Sequence, residues 1–248
     1  MKLEQSDIVY GHPSKPLIYS STAITARRKR ILKEARKLLS EKGFDGFTVR
    51  ELCKRAGVAQ RTLYNAFHNK DRIVALAIRE AYEDFQRRTT YSTFPDTLDG
   101  VIQRLITVNE RNFAARNYTK AVTALYFSPN TSSDIIHSLQ GMAFNLHRWL
   151  DRVEKNKQLA PWIRRDELEL SFINAEYATI NDWVRGQISD ENYLRRLVET
   201  ILIITVGAAR GSTHAHAIRI LKKIRSTGRL PEFPRGAADE SAPLRVTG

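Results

Sequence analysis

The stretch "TVRELCKRAGVAQRTLYNAF", residues 48–67, constrains this chain more than any other, because it encodes two very short helices separated by a glycine turn. Thr48 and Glu51 form a capping box, in which the Thr hydroxyl accepts from the third backbone N–H while Glu reaches back, so a helix starts there. It ends near Gly57, about two turns later. The next helix runs from about Ala59 to Phe67, and its spacing places Ala59, Leu63, Ala66 and Phe67 on one buried face. Gln60, Arg61, Tyr64 and Asn65 then point the other way. Two helices joined by a short Gly-containing turn make a helix-turn-helix, whose second helix has an exposed face that can enter a DNA major groove. Arginine matches guanine O6 and N7 there, and glutamine matches adenine N6 and N7.

A polar face of this kind can also be mere solvated surface, and three features weigh against that. Tyr64 is a bulky aromatic on the wet side, where its phenol can reach a phosphate. "ARRKR", residues 26–30, places four cations at the expected first turn of helix one, where the helix dipole disfavours them. Lys70, at the start of a fourth helix, provides a further anion site.

Charge is concentrated in the same region. The 248-residue chain has a formal net charge of +13, and residues 25–70 carry thirteen Lys or Arg against four acids. That local excess favours nucleic acid over a membrane surface as the anionic partner. The one cysteine, Cys53, cannot form an intramolecular disulfide and no secretory signal pattern opens the chain, so a cytoplasmic location is expected. The run "ILIITVGAA", residues 201–209, is about half the roughly 20 residues that span a bilayer, so it reads as a buried helix and no membrane partner is expected. Phosphate-loop, dinucleotide, zinc-protease and nucleophile-elbow motifs are all lacking, and no His has a Glu three residues before it. Asp134 with His137, and His214 with His216, are isolated pairs, so neither a metal nor a cofactor nor an enzymatic activity is expected. A binder using the basic block without sequence preference remains the other reading from charge alone.

Helical periodicity continues along the whole chain, without the alternation of strands. Residues 1–24 read as a flexible arm, 25–70 as the helix-turn-helix domain, 71–225 as a larger helical domain, and 226–248 as a disordered tail. Helix one carries the stripe Ile31, Ala35, Leu38 and Leu39 and is capped by Gly43. Beyond the helix at about 70–88, helices are expected near 96–115, 118–127, 133–157, 166–185, 190–210 and 215–225.

The run "ILKEARKLLSEKGFDGFTVRELCKRAGVAQRTLYNAFHNKDRIVALAI" resembles the N-terminal domain of TetR-type transcriptional regulators, over about 48 residues without a gap. The turn glycine, the L-Y-x-x-F core and the following Lys all fall in register. The resemblance implies that Thr48 and Tyr64 contact phosphates, that Gln60, Arg61 and Asn65 face bases or neighbouring phosphates, and that Lys70 closes over the DNA backbone. With Arg27, Arg28, Lys29, Arg50 and Thr62, these residues form the candidate DNA-binding set. Two departures are visible: Ala59 stands where the family often has a capping Ser or Thr, and Arg61 where a small residue is common.

The resemblance also implies an all-α fold, in which an N-terminal three-helix helix-turn-helix domain is followed by a larger C-terminal helical bundle for ligand binding and dimerisation. The helices at 166–185 and 190–210 are apolar on more than one face, which suits either the centre of a monomeric bundle or a four-helix dimer interface. On the dimer reading, Tyr177, Ile180, Trp183, Val184, Leu194, Leu197, Val198, Ile201 and Leu202 meet a second copy. Asn109 lies on an apolar stripe and is either a satisfied core amide or a ligand-binding group; Phe113, Tyr126, Phe144, His147 and Trp149 are equally open to core or ligand-pocket roles. The function implied is a homodimeric repressor, released from a palindromic double-stranded DNA operator by a small-molecule inducer.

Overall fold

The computed structural model describes residues 22–141 and 144–234. Among the described residues eleven helices follow one another: α1 (Thr22–Lys42), α2 (Val49–Ala56), α3 (Gln60–Phe67), α4 (Lys70–Arg88), α5 (Leu98–Ala114), α6 (Arg116–Phe127), α7 (Ser133–Gln140), α8 (Phe144–Lys155), α9 (Arg165–Val184), α10 (Asp190–Ala208) and α11 (Gly211–Thr227). Among the described residues the only β pairing is an isolated antiparallel bridge between Leu159 and Ala209. The fold is therefore all-α, with an N-terminal helix-turn-helix followed by a helical bundle.

Boundaries differ from the sequence expectation in three places. Helix α1 is already formed at Thr22, so Arg27 to Arg30 lie beyond its first turn, where the dipole penalty has largely decayed. Residues 1–21 of the expected arm, and 235–248 of the expected tail, lie outside the described residues. Within 226–234 the chain is held against the protein, because α11 continues to Thr227 and Leu230 and Phe233 pack partly buried against the bundle. The single helix expected over 133–157 is two, α7 and α8. Ile135 and Leu139 of α7 pack into one hydrophobic core and Leu146, Trp149, Leu150 and Val153 of α8 into another, which one straight rod cannot do.

Those two cores organise the molecule. The first is built by α1 to α4 around Leu38, Leu52, Leu63, Phe67 and Ile73, all essentially inaccessible, and continues without a break into α6, α7, α9 and α10 through Leu125, Ile135, Ile180, Trp183 and Tyr193. The second joins α5, α8, α9, α10 and α11 through Ile102, Leu150, Phe172, Val198, Leu202 and Ile224. Helix α4 gives Ile73, Val74, Ala75, Ala77 and Ile78 to the first core. Arg36 of α1 is ion-paired to Glu80 of α4 at 3.1 Å, which fixes the rotation of the two helices.

Phe67 is the largest side chain that α3 buries, and removing its ring leaves a cavity that a two-turn helix cannot collapse around. Phe67→Ala is expected to destabilise the protein by about 3–5 kcal/mol, read from the urea midpoint of unfolding.

Candidate nucleic-acid interface

The helix-turn-helix is set by three local devices. Thr48 Oγ1 accepts from the Glu51 backbone N–H at 3.2 Å and starts α2. The reciprocal half of the expected box is replaced, since the Glu51 carboxylate takes Arg55 Nε at 3.0 Å, and Arg55 also reaches Glu41 on α1 at 2.7 Å. That hydrogen bond from Arg55, more than the nearby charges, lowers the Glu51 carboxyl below its usual range. Gly57 ends α2 with φ +62°, a left-handed conformation that a side chain rarely adopts. Gly46, in the turn before α2, has no room for a Cβ, which would stand 2.6 Å from the Lys42 carbonyl oxygen.

Helix α3 buries less than its periodicity suggests. Leu63 and Phe67 are inaccessible, whereas Ala59 and Ala66 are exposed at the edges of a stripe only two residues wide. Ala59 stands at the N-cap without a side-chain hydrogen bond, as its methyl group requires. Gln60, Arg61, Tyr64 and Asn65 are exposed together, Tyr64 at 41%, and Thr62 is half-buried. This face is polar, cationic and held by a rigid floor.

Cations surround it. Arg27, Arg28, Lys29 and Arg50 are exposed, and the Arg28 guanidinium lies 5.0 Å from the centre of the Phe67 ring, which ties the basic turn of α1 to the underside of α3. Lys70 is less free than the resemblance implies, because Nζ donates to the Phe44 carbonyl oxygen at 2.8 Å and sits 4.0 Å from the centre of the Phe44 ring. It clamps the start of α4 to the turn after α1 and has two N–H donors left for a phosphate. Asn69 caps α4 by accepting from the Arg72 N–H at 2.7 Å. Arg36, Lys37 and Arg55 of the same basic block are matched to carboxylates, so its remaining charge is directed at solvent.

An internal cavity lies behind this domain, lined by α4, α5, α6, α7 and α9, with about 680 Å³ of non-atom space including its mouth. Of the six residues singled out as pocket candidates, Asn109 lines it. It is also fully buried and donates from Nδ2 to Glu176 Oε1 at 2.8 Å while accepting from Tyr193 OH at 2.7 Å, which is the satisfied core amide, set on the cavity wall. Four others are placed elsewhere. Phe113 packs edge-on against Trp183 and Tyr193, Tyr126 stacks on Tyr177 and bonds Asn174, His147 pairs with Glu169 at 2.5 Å, and Trp149 fills the second core. Phe144 opens α8, and its side chain lies outside the described residues. Sequence reasoning missed Arg111, Tyr118, Thr123 and Glu176 on the cavity wall. Glu176 carried a signal, since it is a charge inside the stripe Ile173, Tyr177 and Ile180.

The apolar residues expected to meet a second copy are engaged within the chain. Tyr177, Ile180, Trp183, Leu197, Val198, Ile201 and Leu202 are buried, and Val184 and Leu194 are partly buried against the cores. Gly186 turns the α9–α10 hairpin with φ +78°. The Ser189 hydroxyl accepts from Asn192 rather than capping α10, and Asp190 instead receives the Trp183 indole N–H at 2.8 Å and Arg116 at 2.9 Å. Solvent meets a different face of this hairpin: Leu170 is 45% and Ile203 48% exposed, with Ala178 and Gly207 also open. His214 and His216 both lie on α11, and no metal-ligating cluster occurs among the described residues. No described helix is long and apolar enough to cross a membrane.

An all-α chain that presents an exposed, cationic second helix of a helix-turn-helix belongs to the helix-turn-helix class of DNA-binding regulators. Residues 31–77 match the family described as bacterial regulatory proteins, tetR family, so the likeness to that family is carried by the N-terminal domain. A relative, the biofilm operon icaADBC HTH-type negative transcriptional regulator IcaR of Staphylococcus epidermidis, is 29% identical over 128 residues; the match covers 48% of this chain and 65% of that protein's length. Among solved structures, SmeT, the repressor of the Stenotrophomonas maltophilia multidrug efflux pump SmeDEF, superposes with a TM-score of 0.56 at 15% identity, covering 75% of this chain and 92% of that one. FadR of Bacillus subtilis in complex with stearoyl-CoA gives 0.55 at 17% identity, covering 72% and 98%. At those identities the likeness is one of fold. The family and the relative are transcriptional regulators, not enzymes.

Glu176 yields a pH prediction. Burial pushes its carboxyl above the ordinary range, partly offset by the Asn109 hydrogen bond. A raised carboxyl favours the neutral form in the folded state, so its contribution is fully present below the unfolded value and is lost as pH rises through the folded one. Glu176→Gln, which cannot ionise, is therefore expected to melt at a higher temperature than the parent at pH 8 and to lose that advantage toward pH 4. A melting difference that does not change with pH would contradict this.

Proposed function

We propose that the protein is a homodimeric, sequence-specific repressor that binds a palindromic double-stranded DNA operator and is released when a small molecule enters the cavity. The observation that carries this reading is the exposed set Gln60, Arg61, Tyr64 and Asn65, held on the inaccessible Leu63 and Phe67 and flanked by exposed cations of α1. Arg61 and Gln60 are the base readers, and Thr48, Tyr64, Arg27, Arg28, Lys29 and Arg50 are phosphate contacts. Thr48 can still donate its hydroxyl proton while its oxygen caps α2. A cytoplasmic location follows from the DNA partner.

Two-fold pairing through the outward face of the α9–α10 hairpin, at Leu170, Ala178, Ile203 and Gly207, supplies the symmetry that a palindrome needs. Release follows if the ligand favours an arrangement of α4 that spaces the two recognition helices wrongly, since α4 both lines the cavity through Ile78 and Tyr82 and carries Lys70 beside the DNA-facing turn.

Selection of bound sequences from a random DNA pool at about 0.15 M salt, with excess competitor, is expected to return an inverted repeat. Absence of any enriched sequence would leave the basic block as a non-specific DNA surface. Arg61→Ala should weaken operator binding by about 1–3 kcal/mol and relax preference at one base pair per half-site. Unchanged preference would remove Arg61 from base reading. Ile203→Asp should give monomers by light scattering with native helicity, whereas Leu197, inaccessible within the chain, is expected to unfold the protein when made acidic.

A further inference from the structure

The cavity wall contains two ionisable side chains that lack opposite charges. Glu176 has one hydrogen-bond partner, Asn109, and no cation within ion-pair distance among the described residues. Arg111 lies on the same wall, with its guanidinium 4.9 Å from the centre of the Phe85 ring and no described carboxylate within ion-pair distance. Arg36, the nearest further cation acting on it, adds repulsion and is itself already matched by Glu80.

The two groups differ in how they can escape this situation. A buried carboxyl can bind a proton and become neutral, and burial drives Glu176 that way. A guanidinium cannot discharge in a protein, so desolvation leaves Arg111 as a charge seeking an anion. Arg111 is therefore the charge on this wall that only an anion can compensate. Beside it, the Tyr118 hydroxyl is buried without a hydrogen-bond partner, and burial pushes this phenol up to about 12, so it stays a proton donor. Thr123 Oγ1 on the same wall is likewise buried and unpartnered. Beside the polar Asn109, Asn112 and Thr119, the lining is apolar or aromatic, with Ile78, Val122, Ile173 and the rings of Tyr82 and Tyr177.

We propose that this cavity takes a small aromatic carboxylate, its carboxylate held by Arg111 and the Tyr118 hydroxyl and its ring among the tyrosines and branched aliphatic side chains. A fork-shaped guanidinium with an adjacent O–H donor matches a carboxylate in geometry as well as charge, and the water-poor wall strengthens the pairing. The far end of the ligand meets Asn109, Glu176 and Thr123, which suit a ring hydroxyl. This ligand class rests on the reading of the cavity as the effector site.

The test is calorimetric titration of the full chain, without DNA, with benzoate and phenylacetate against their neutral and cationic counterparts, benzyl alcohol and benzylamine. At least one carboxylate should bind about tenfold or more tighter than both counterparts. Arg111→Met should abolish that preference while keeping affinity for benzyl alcohol, and Tyr118→Phe should weaken the carboxylate alone. If Arg111→Met does not fold, Arg111→Lys should retain part of the preference, because a point charge lacks the fork. The proposal is overturned by tighter binding of benzylamine, which would make Glu176 the counter-ion, by equal affinity for acid and alcohol, or by no binding of either carboxylate. Adding the bound carboxylate to the complex with the selected operator tests the other reading separately. Carboxylate binding without DNA release would remove the effector role and leave the ligand class intact, and DNA specificity without carboxylate binding would do the reverse.

Discussion

The polar face of α3, the proposed DNA-reading surface, rests on the burial of Leu63 and Phe67 beneath it. A two-turn helix has little stability of its own, and α3 begins at an uncapped alanine, so propensity and capping do not hold it in place. Two inaccessible side chains and the Arg28 guanidinium over the Phe67 ring do. The outward residues gain their precision from that anchoring. A reading face is only as well positioned as the floor beneath it, and here the floor is continuous with the bundle core.

That continuity makes α4 the mechanical centre of the molecule. Its N-terminal end carries Lys70, clamped to the Phe44 carbonyl, and its middle contributes Ile73, Val74 and Ala77 to the first core. Ile78, the next residue, and Tyr82, one turn beyond it, form part of the cavity wall. Densely packed interiors do not deform smoothly, so on the proposed function one rigid rod links occupancy of the cavity to the position of the helix-turn-helix. The Arg36–Glu80 pair restrains that rod at mid-length. The cavity itself keeps polar atoms that the core would ordinarily satisfy or exclude: Tyr118 and Thr123 lack partners, and Arg111 lacks an anion. Such groups are expensive to bury, which is why their clustering on one wall points to a bound molecule rather than to packing.

What could be read from the residues followed local rules. The capping Thr48, the left-handed Gly57, the apolar spacing of α3 and the basic block are all encoded within a few residues of where they act, so the helix-turn-helix and its exposed set were legible, and the family resemblance of that domain with them. Periodicity also placed nine of the helices near their observed positions, failing only where one apolar run serves two cores and separates into α7 and α8.

The chain's own sequence determined the all-α class, the second helix that meets solvent with Gln60, Arg61, Tyr64 and Asn65, and the surplus of positive charge around it, because each depends on neighbours within a turn or two. Tertiary structure alone decided which apolar faces are spent inside the chain. Leu197, Val198 and Trp183 have the pattern of an interface but are inaccessible, while Leu170 and Ile203 remain outside. It also decided which polar residues converge on the cavity, since Arg111 and Tyr118, on the consecutive helices α5 and α6, meet Glu176 of α9, far along the chain. Helical spacing specifies a direction around one axis, and only the packing of several axes determines what that direction meets.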